Sequence, residues 1–293
     1  MKKEITAKTK LIGLIGSPIE HSISPSMQNE ALAQAGLDYV YVAFNVGLET
    51  LEQTIEGFKA MNVRGWNITM PDKNRMCQLA DKLSPVAQIC GAVNTIVNDN
   101  GVLTGHTTDG IGYVEGIRAS GYDIKDKVIT LLGAGGAATA ILAQAAYDGA
   151  SEIHVFNRAD EFYTHVEKTA EVLNQRTDCR ITVHPLEDDS ALRTSIQNSD
   201  ILSNATNVGM APDTDKCLIA DPSYFHPGLI VTDAIYHPYE TKLIQMAKEY
   251  GCPVVGGLYM QLFQGAASFE LWTGRKMPVE IVNEKYFHLD IKL

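Results

Sequence analysis

The sequence predicts an α/β protein of two domains, each with a mainly parallel sheet. Its 293 residues are enough for roughly two domains of about 150 residues each. Short β-rich runs alternate with helical patterns along nearly the whole chain, which is typical of parallel strands joined by helices. A second strand–helix series starts near Asp126, so we place the domain boundary within residues 110–127, where we expect a bridging helix.

The first half of the chain predicts three strands, two helices and a hairpin. Ser24 is a candidate N-cap for the first helix, and Gly36 ends that helix. Asn100 and Gly101 suit the type I′ turn of a hairpin. The strands are expected at 11–16, 39–46 and 64–69, the helices at 25–36 and 48–61, and the hairpin at 93–106.

The second half repeats strand–helix units, as a doubly wound sheet requires. An uncharged run from Val128 to Tyr147 is long enough to raise the question of a membrane helix. Three glycines follow its β-rich start, however, and they favour a strand, a turn and a buried helix. Strands are expected at 127–133, 152–158, 180–185, 200–206 and 229–236, and an apolar helix at 258–274.

Composition and charge exclude several classes of protein. Hydrophobic residues make up 45% and charged residues 20%, which excludes a disordered or collagen-like chain. The net charge of −11 argues against binding to nucleic acid or to a membrane surface. The five cysteines form no CxxC pair and the eight histidines show no ligand spacing, so no metal site is expected. The odd cysteine count and the lack of an early apolar segment predict a cytoplasmic protein.

A glycine-rich turn after the strand at 127–133 predicts a dinucleotide-binding domain. Gly133 allows the tight turn out of the strand, Gly135 lets the backbone approach a pyrophosphate, and Ala138 lets the helix pack closely on the strand. The helix that follows offers free N–H groups and the positive end of its dipole to phosphates. The full motif is Gly133, Ala134, Gly135, Gly136, Ala137 and Ala138.

Residues after the next strand bear on which dinucleotide is preferred. An acidic side chain accepts hydrogen bonds from the ribose of NAD, whereas an arginine accommodates the 2′-phosphate of NADP. Asn157, Arg158 and Asp160 offer both kinds of group. We expect NAD to be favoured and NADP to be a second cofactor, because no further basic residue precedes His165. Asp160 has an alternative interpretation as the N-cap of the next helix, and the two roles are compatible.

Three polar clusters follow predicted strands of the first half, at 21–26, 67–73 and 107–110. In open α/β sheets ligands bind outside the carboxyl ends of strands, and clustered hydroxyls and amides suit a polyhydroxylated ligand. Lys73 and Asp109 are the pair with the most useful chemistry, because a carboxylate can hold a lysine in place and offer a second proton acceptor. The alternative is a surface ion pair worth under about 1 kcal/mol.

Eight short motifs follow one another in a specific order, namely SPIEHSISPSMQN, NITMPDK, GAVNT, TDGIG, GAGGAA, NATNVGM, DAIYHP and QGAASF. Each is modest alone, but the ordered set resembles the shikimate dehydrogenases over essentially the full chain. FNRADEFY and GHTTDG are most similar to the quinate/shikimate dehydrogenase branch. The resemblance implies a substrate-binding catalytic domain at 1–112, with 258–293 packing back on it, and a Rossmann dinucleotide-binding domain at 113–257.

The resemblance also implies roles for individual residues. Lys73 and Asp109 would be the catalytic pair. Contacts to the substrate carboxylate would come from Ser22, Ser24 and Tyr41. Other substrate contacts would come from Asn67, Thr69, Asn94, Tyr236 and Gln264. Cofactor contacts beyond the glycine turn would come from Asn157, Arg158, Asp160, Thr206, Gly257 and Met260.

Simpler roles stay open for four of these residues. Ser24 has the alternative of capping a helix, Asn94 of binding its own turn, Gln264 of being a satisfied polar group, and Tyr236 of packing. The family commonly has asparagine where Thr107 stands, which puts one amide hydrogen bond near Asp109 in doubt.

The implied activity is the reversible NAD(P)-dependent oxidation of shikimate to 3-dehydroshikimate, and of quinate to 3-dehydroquinate, in aromatic amino acid biosynthesis. The alternatives are a strictly NADP-dependent biosynthetic shikimate dehydrogenase and a catalytically inactive regulator that senses the dinucleotide. The expected partners are these small acids, with no nucleic acid and no membrane, and a homodimer is left open.

Overall fold

The structure, a computed structural model, describes residues 4–69 and 73–292. The chain divides into two compact units. Unit 1 comprises Met1–Thr108 and Gln264–Leu289, and unit 2 comprises Asp109–Phe263 and Asp290–Leu293. Each unit has its own sheet and its own buried core.

Unit 1 is built on a six-stranded sheet flanked by helices. Its strands are β1 (Lys10–Gly16), β2 (Tyr39–Asn45), β3 (Gly65–Ile68), β4 (Lys82–Leu83), β5 (Thr95–Asp99) and β6 (Val102–His106). Its helices in the first half of the chain are α1 (Ser24–Gln34), α2 (Leu51–Ala60), α3 (Lys73–Leu79) and α4 (Pro85–Cys90). The strand order is β2-β1-β3-β5-β6-β4. Only β5 runs antiparallel to its neighbours, so the sheet is mainly parallel, as predicted.

Local sequence explains several elements of unit 1. Asn100 and Gly101 both have positive φ, 54° and 93°, which confirms the hairpin turn between β5 and β6. Helix α2 buries Leu51, Ile55 and Phe58, which recur at the spacing of one helix face. This face covers the core of the sheet beside Trp66.

The predicted capping role of Ser24 is wrong. Ser24 is the first residue of α1, the N-cap is Ile23, and no side chain caps this helix. The Ser22 hydroxyl instead accepts a hydrogen bond of 3.2 Å from the Ser24 N–H, two residues further on. The turn before α1 is therefore closed by Ser22.

Unit 2 is built on a second six-stranded sheet, in which every strand pair is parallel. Its strands are β7 (Val128–Leu132), β8 (Glu152–Asn157), β9 (Arg180–Pro185), β10 (Ile201–Asn204), β11 (Ile230–Asp233) and β12 (Val254–Val255). Its helices are α5 (Asp109–Ala119), α6 (Gly136–Tyr147), α7 (Glu161–Arg176), α8 (Asp189–Asn198) and α9 (Lys242–Tyr250). The order β12-β11-β10-β7-β8-β9 is that of the doubly wound Rossmann sheet, which confirms the predicted fold class.

The uncharged run 128–147 forms β7, the glycine turn and α6, as the sequence predicted. Helix α6 is rich in alanine, and most of its residues are buried. Among the described residues, none of the helices combines the length and apolar character that crossing a bilayer requires.

The unit boundaries lie a few residues from the positions 112/113 and 257/258 that the sequence suggested. Helix α5 belongs wholly to unit 2, because Gly110 approaches α6 so closely that a Cβ would lie 2.2 Å from the Ala140 carbonyl oxygen. The long helix α10 (Gly257–Thr273) begins in unit 2, where Tyr259 packs against Gly116. The chain end also returns to unit 2, since the Lys292 N–H bonds to the Ala119 carbonyl.

The remainder of the C-terminal segment, Gln264–Leu289, belongs to unit 1. After α10 it forms the short helix α11 (Val279–Val282) and a π-helical turn, Asn283–Phe287. The Gln28 side chain donates 2.9 Å to the Gly265 carbonyl, and the Trp272 indole donates 2.8 Å to the Ile96 carbonyl. Both bonds hold the second half of α10 to the elements of the N-terminal segment.

Candidate functional site

The sheet of unit 1 gathers polar side chains at one edge. Strands β1, β3 and β6 end at this edge, whereas β5 begins there because it runs in the opposite direction. Asn67 on β3 is therefore paired with Thr95 at the start of β5, and Thr95 is paired with His106 at the end of β6. This register places Asn67, Asn94, Thr95 and Thr108 close together although 41 residues separate the first and the last.

These side chains form a buried hydrogen-bond network. Tyr41 donates 2.7 Å to Asn67 Oδ1, and Asn67 Nδ2 donates 2.9 Å to the Thr95 hydroxyl. Asn94 Nδ2 donates 2.9 Å to the Thr108 hydroxyl, while Asn94 Oδ1 accepts 2.8 Å from the Thr108 N–H. Each of the two asparagine amides is thereby held in a single orientation.

The Tyr41 side chain is fully buried, at 2% exposure. Burial raises the pKa of its hydroxyl well above the usual value, so it remains a hydrogen-bond donor at physiological pH. The sequence suggested that Tyr41 reaches a substrate carboxylate, whereas its hydroxyl is directed at Asn67. The geometry thus places Tyr41 behind Asn67.

Three further predicted residues of unit 1 lie after β3, on α3 and on α10. Thr69, one residue past β3, bonds through its N–H to the Ile15 carbonyl of β1 at 3.0 Å. Lys73 is the first residue of α3 and is half-buried. The Gln264 side chain, from α10, accepts a bond of 3.5 Å from the Thr108 hydroxyl. Met70, Pro71 and Asp72 of the second predicted cluster lie outside the described residues.

In unit 2 the glycine turn leads from β7 into α6. Gly133 has a φ of 107°, and a Cβ there would lie 2.9 Å from Cγ2 of Thr206, which follows β10. Gly135 is the N-cap of α6, and no atom lies within 4 Å of the position that a Cβ would take there. The space beside Gly135 is therefore open, and the free N–H groups at the start of α6 suit a dinucleotide pyrophosphate.

Asn157, Arg158 and Asp160 lie together after β8. The Asn157 amide donates 2.9 Å to Asp160 Oδ1, and the same oxygen accepts 3.0 Å from the Phe162 N–H at the start of α7. Asp160 is therefore the N-cap of α7, which confirms the capping interpretation of this residue. The Arg158 side chain is 74% exposed and lies 3.5 Å from Asp160 Oδ2. Both a carboxylate and a guanidinium are thus available at this point.

Thr206 is held by Asn204, which in turn bonds to a buried carboxylate, Asp233, that the sequence did not indicate. Asn204 Oδ1 accepts 2.7 Å from the Thr206 hydroxyl, and the Asn204 amide donates 3.1 Å to Asp233 at the end of β11. Asp233 also accepts 2.7 Å from Thr241, the N-cap of α9. Burial raises the pKa of Asp233 to about 6 in spite of these donors. The motifs NATNVGM and DAIYHP contain both partners, but nothing in either motif shows that they meet.

The other predicted residues of unit 2 have varied surroundings. Gly257 starts α10 where a Cβ would lie 2.4 Å from the Ile235 carbonyl oxygen, so packing alone requires glycine there. Met260 lines a small cavity with Tyr113, Thr232 and Asp233. Tyr236 is 51% exposed, which disfavours the alternative that it serves only for packing.

Lys73 belongs to unit 1 and Asp109 to unit 2. Asp109 is the first residue of α5 and is 8% exposed. It directly follows Thr108, so the buried network of unit 1 continues in the chain to this carboxylate. In the described part of the chain, no three His, Cys, Asp or Glu side chains gather in a way that suits a metal ion.

Comparison with known proteins agrees with this arrangement. Residues 14–96 match the model of the shikimate dehydrogenase substrate binding domain, and residues 257–285 match that of the shikimate 5′-dehydrogenase C-terminal domain. A shikimate dehydrogenase (NADP(+)) of Listeria monocytogenes is 51% identical over 285 residues, which covers 97% of this chain and 98% of that protein. The chain belongs to the shikimate dehydrogenase family. It is therefore an NAD(P)-dependent oxidoreductase.

Two further relatives describe the range of this family. A quinate/shikimate dehydrogenase of Escherichia coli is 48% identical over 281 residues, covering 96% of this chain and 98% of the relative. The crystal structure of shikimate 5-dehydrogenase from Listeria monocytogenes in complex with shikimate and NAD has a TM-score of 0.93 and 51% identity. It covers 98% of this chain and 99% of that one. Shikimate dehydrogenases similar to this chain thus carry both NAD and NADP in their names or crystals.

Proposed function

We propose that the protein oxidises shikimate reversibly to 3-dehydroshikimate, and quinate to 3-dehydroquinate, within the shikimate pathway of aromatic amino acid biosynthesis. The observation that carries this proposal is the buried amide–hydroxyl network at the edge of the unit 1 sheet, which suits a ligand with several ring hydroxyls. The relative crystallised with shikimate and NAD matches nearly the whole chain at 51% identity, which supports the same substrate.

The proposed chemistry divides between the two units. The dinucleotide, when bound, supplies the hydride acceptor of the oxidation. Lys73 accepts the proton of the ring hydroxyl while the C–H bond breaks, and Asp109 offers a second proton acceptor. In the reverse direction Lys73 returns the proton to the oxygen of the reduced product. We also propose that Ser22 and Ser24 bind the substrate carboxylate and that Asn67, Thr69, Asn94, Tyr236 and Gln264 contact the remainder of the substrate.

We propose that NAD is the better cofactor and that NADP is also used. Asp160 keeps a carboxylate beside Asn157, where it can accept bonds from ribose hydroxyls and repel a 2′-phosphate. The glycine turn 133–137, together with Thr206, would meet the pyrophosphate, and Gly257 and Met260 would lie at the nicotinamide end. The Listeria relative crystallised with NAD supports the use of NAD, whereas the name of the 51% identical shikimate dehydrogenase (NADP(+)) favours NADP.

A strictly NADP-dependent shikimate dehydrogenase is the second candidate. Its support is the name of the 51% identical relative, a shikimate dehydrogenase (NADP(+)), together with the 74% exposed Arg158. An exposed guanidinium can turn toward a 2′-phosphate without losing a buried contact. Retained dinucleotide binding without any turnover would instead support the inactive regulator.

Initial rates at 340 nm with shikimate and quinate, each with NAD and NADP, test these candidates. Turnover of both acids with a larger kcat/KM for NAD is the expected result. Turnover of shikimate with NADP alone would support the second candidate and would show that Arg158 outweighs Asp160. A cytoplasmic location and a homodimer stay predictions, to be tested by cell fractionation and by light scattering of the purified protein.

A further inference from the structure

Ser268 on α10 lies at the centre of the buried network of unit 1. Its side chain is fully buried, at 0% exposure. Its hydroxyl oxygen lies 2.8 Å from the Thr95 hydroxyl, 3.2 Å from the Thr108 hydroxyl and 3.1 Å from Asn67 Nδ2. It is thus the one described residue outside the N-terminal segment that contacts Asn67, Thr95 and Thr108 at once.

Counting the protons that each group can donate gives the direction of the hydrogen bonds that Ser268 makes with Gln264 and Asn67. A hydroxyl donates one proton and accepts two. Ser268 lies 3.0 Å from the Gln264 carbonyl, which can only accept, so the Ser268 proton goes there. Its oxygen then accepts from Asn67 Nδ2, which can only donate, and lies 2.8 Å from the Thr95 hydroxyl. Asn67 Nδ2 has two further acceptors, the Thr95 hydroxyl at 2.9 Å and the Asn94 carbonyl at 3.2 Å. The Thr95 proton has two acceptors within reach, the Ser268 oxygen and Asn94 Oδ1 at 3.1 Å.

This order fixes which end of the Asn67 amide meets a ligand. Turning the amide over would set Oδ1 against the Asn94 carbonyl oxygen, which cannot donate, and against the Ser268 oxygen, whose proton goes to Gln264. The amide nitrogen therefore stays inside, and Oδ1 remains beside Tyr41. An amide oxygen accepts two hydrogen bonds, and Tyr41 supplies one of them. The second acceptor site of Asn67 suits a hydroxyl of the substrate.

We propose that Ser268 is a positioning residue of the substrate site, which holds Asn67 so that its Oδ1 accepts a hydrogen bond from a ring hydroxyl. This inference rests on the proposed function, because it requires a hydroxylated substrate at the edge of the unit 1 sheet. It assigns Ser268 no contact with the dinucleotide. Asn67 accepts a hydrogen bond from the substrate hydroxyl. Ser268 and Thr95 keep the Asn67 amide in the orientation that allows this bond.

The test is a kinetic double-mutant cycle on the full-length protein with Ser268→Ala and Asn67→Ala. Ser268→Ala removes one of the three acceptors around the Asn67 amide nitrogen, so we expect the KM for shikimate to rise about 3–10-fold. The KM for the dinucleotide should stay within about twofold of wild type. In the Asn67→Ala background, Ser268→Ala should add less than about twofold, because there is no longer an amide to hold.

Thr273→Val is the matched control for a change in α10 itself. Thr273 makes the same kind of bond to the carbonyl four residues earlier, at 2.7 Å to Phe269, but contacts none of the network residues. Its KM for shikimate should match that of wild type. If Ser268→Ala does not fold, Thr95→Val removes another of the three acceptors of the amide and should raise the same KM.

The outcomes separate the inference from the proposed function. Wild-type turnover of shikimate with an unchanged KM in Ser268→Ala would overturn the role of Ser268 and leave the proposed function standing. Equal losses in the wild-type and Asn67→Ala backgrounds would also overturn it, because they would show a general effect on packing. No turnover of either acid by the wild type would instead overturn the proposed function, and this inference with it.

Discussion

The two units build their candidate binding surfaces in opposite ways. Unit 1 uses side chains that are far apart in the sequence, from Tyr41 on β2 to Ser268 on α10, and every one of them is held by another side chain. Unit 2 uses the backbone of a few consecutive residues between β7 and α6, where Gly135 leaves an open space for a ligand. A surface made of side chains selects its ligand by the chemistry of particular residues. A surface made of backbone uses N–H groups that nearly every residue carries, so its binding depends on the conformation of the chain.

The supports behind the two surfaces also differ. The network of unit 1 is composed of amides and hydroxyls, and burial moves the pKa of Tyr41 further from neutrality. The support of Thr206 in unit 2 ends in a buried carboxylate, Asp233, whose pKa is about 6. The activity that depends on unit 1 should therefore be sensitive to substitution of single side chains. The stability and ligand binding of unit 2 should be sensitive to backbone conformation and to pH.

The largest expected effect is that of Lys73→Ala in unit 1. Loss of the proposed proton acceptor should lower kcat by about 10²–10⁴-fold. The affinity for the dinucleotide, measured by fluorescence titration, should be unchanged because that surface belongs to unit 2. Lys82→Ala, which removes an exposed lysine of the same unit, is the control and should leave kcat unchanged. A Lys73→Ala enzyme with wild-type kcat would show that the proton goes elsewhere.

Alanine at two positions of the glycine turn separates conformation from ligand contact. Gly133→Ala should destabilise the protein by about 2–4 kcal/mol, because its φ of 107° strains any side chain and the Cβ would press on Thr206. Gly135→Ala should cost under about 1 kcal/mol but should weaken dinucleotide binding at least about 10-fold, since its Cβ would fill the pyrophosphate space. Urea unfolding and calorimetric titration measure the two effects.

Gly47→Ala serves as the control for both, since no atom lies within 4 Å of its Cβ position and its φ is not positive. It should change neither stability nor dinucleotide affinity. If Gly135→Ala bound the dinucleotide as tightly as wild type, the backbone surface of unit 2 would have been assigned to the wrong residues.

Asp233 should make the stability of unit 2 depend on pH. Its folded-state pKa of about 6 lies above the usual 3.8, so the fold binds this proton more tightly than the unfolded chain does. The stabilisation is fully present below about pH 4 and is lost as the pH rises through about 6, by an amount on the order of 3 kcal/mol. Asp233→Asn should remove this loss. The free energy of unfolding of Asp233→Asn, relative to that of wild type, should therefore rise between about pH 4 and about pH 7.

Asp221→Asn should show the opposite trend in the same urea titrations. The Ser223 N–H lowers the pKa of the exposed Asp221, so its contribution is present above the usual carboxyl pKa and is lost as the pH falls. A difference between Asp233→Asn and wild type that stays constant with pH would mean that the Asp233 carboxyl does not titrate in this range.

The smallest expected effect is that of Asp160→Ser. Serine keeps an acceptor for the Phe162 N–H, so stability should change by under about 1 kcal/mol. Removal of the carboxylate should shift the ratio of kcat/KM values toward NADP by about 10-fold, because the group that repels a 2′-phosphate is lost while Arg158 remains. Asp188→Ser changes the N-cap of α8 in the same way and should leave the ratio alone. An unshifted ratio in Asp160→Ser would assign this residue to helix capping only.

The elements that could be predicted from sequence are those that depend on neighbours in the chain. The hairpin at Asn100 and Gly101, the strand–turn–helix at 128–147 and the cap at Asp160 were all predicted because their contacts span only a few residues. The predicted capping role of Ser24 was wrong because the Ser22 hydroxyl, two residues earlier, makes the local side-chain bond by accepting from the Ser24 N–H. The roles proposed for Lys73 and Asp109 came from the family motifs and stay predictions.

The sequence by itself determined the α/β class, the doubly wound Rossmann type of unit 2 and the glycine turn, because strand–helix alternation and a contiguous motif are local properties. Only the tertiary structure decided that β5 runs against its neighbours and brings Thr95 to the edge where β3 ends. The return of α10 then adds Ser268 to Asn67, and the pairing of β10 with β11 sets Asp233 behind Asn204 and Thr206. These contacts join residues far apart in the chain. Their hydrogen-bond partners therefore follow from the register of the strands and from the packing of α10.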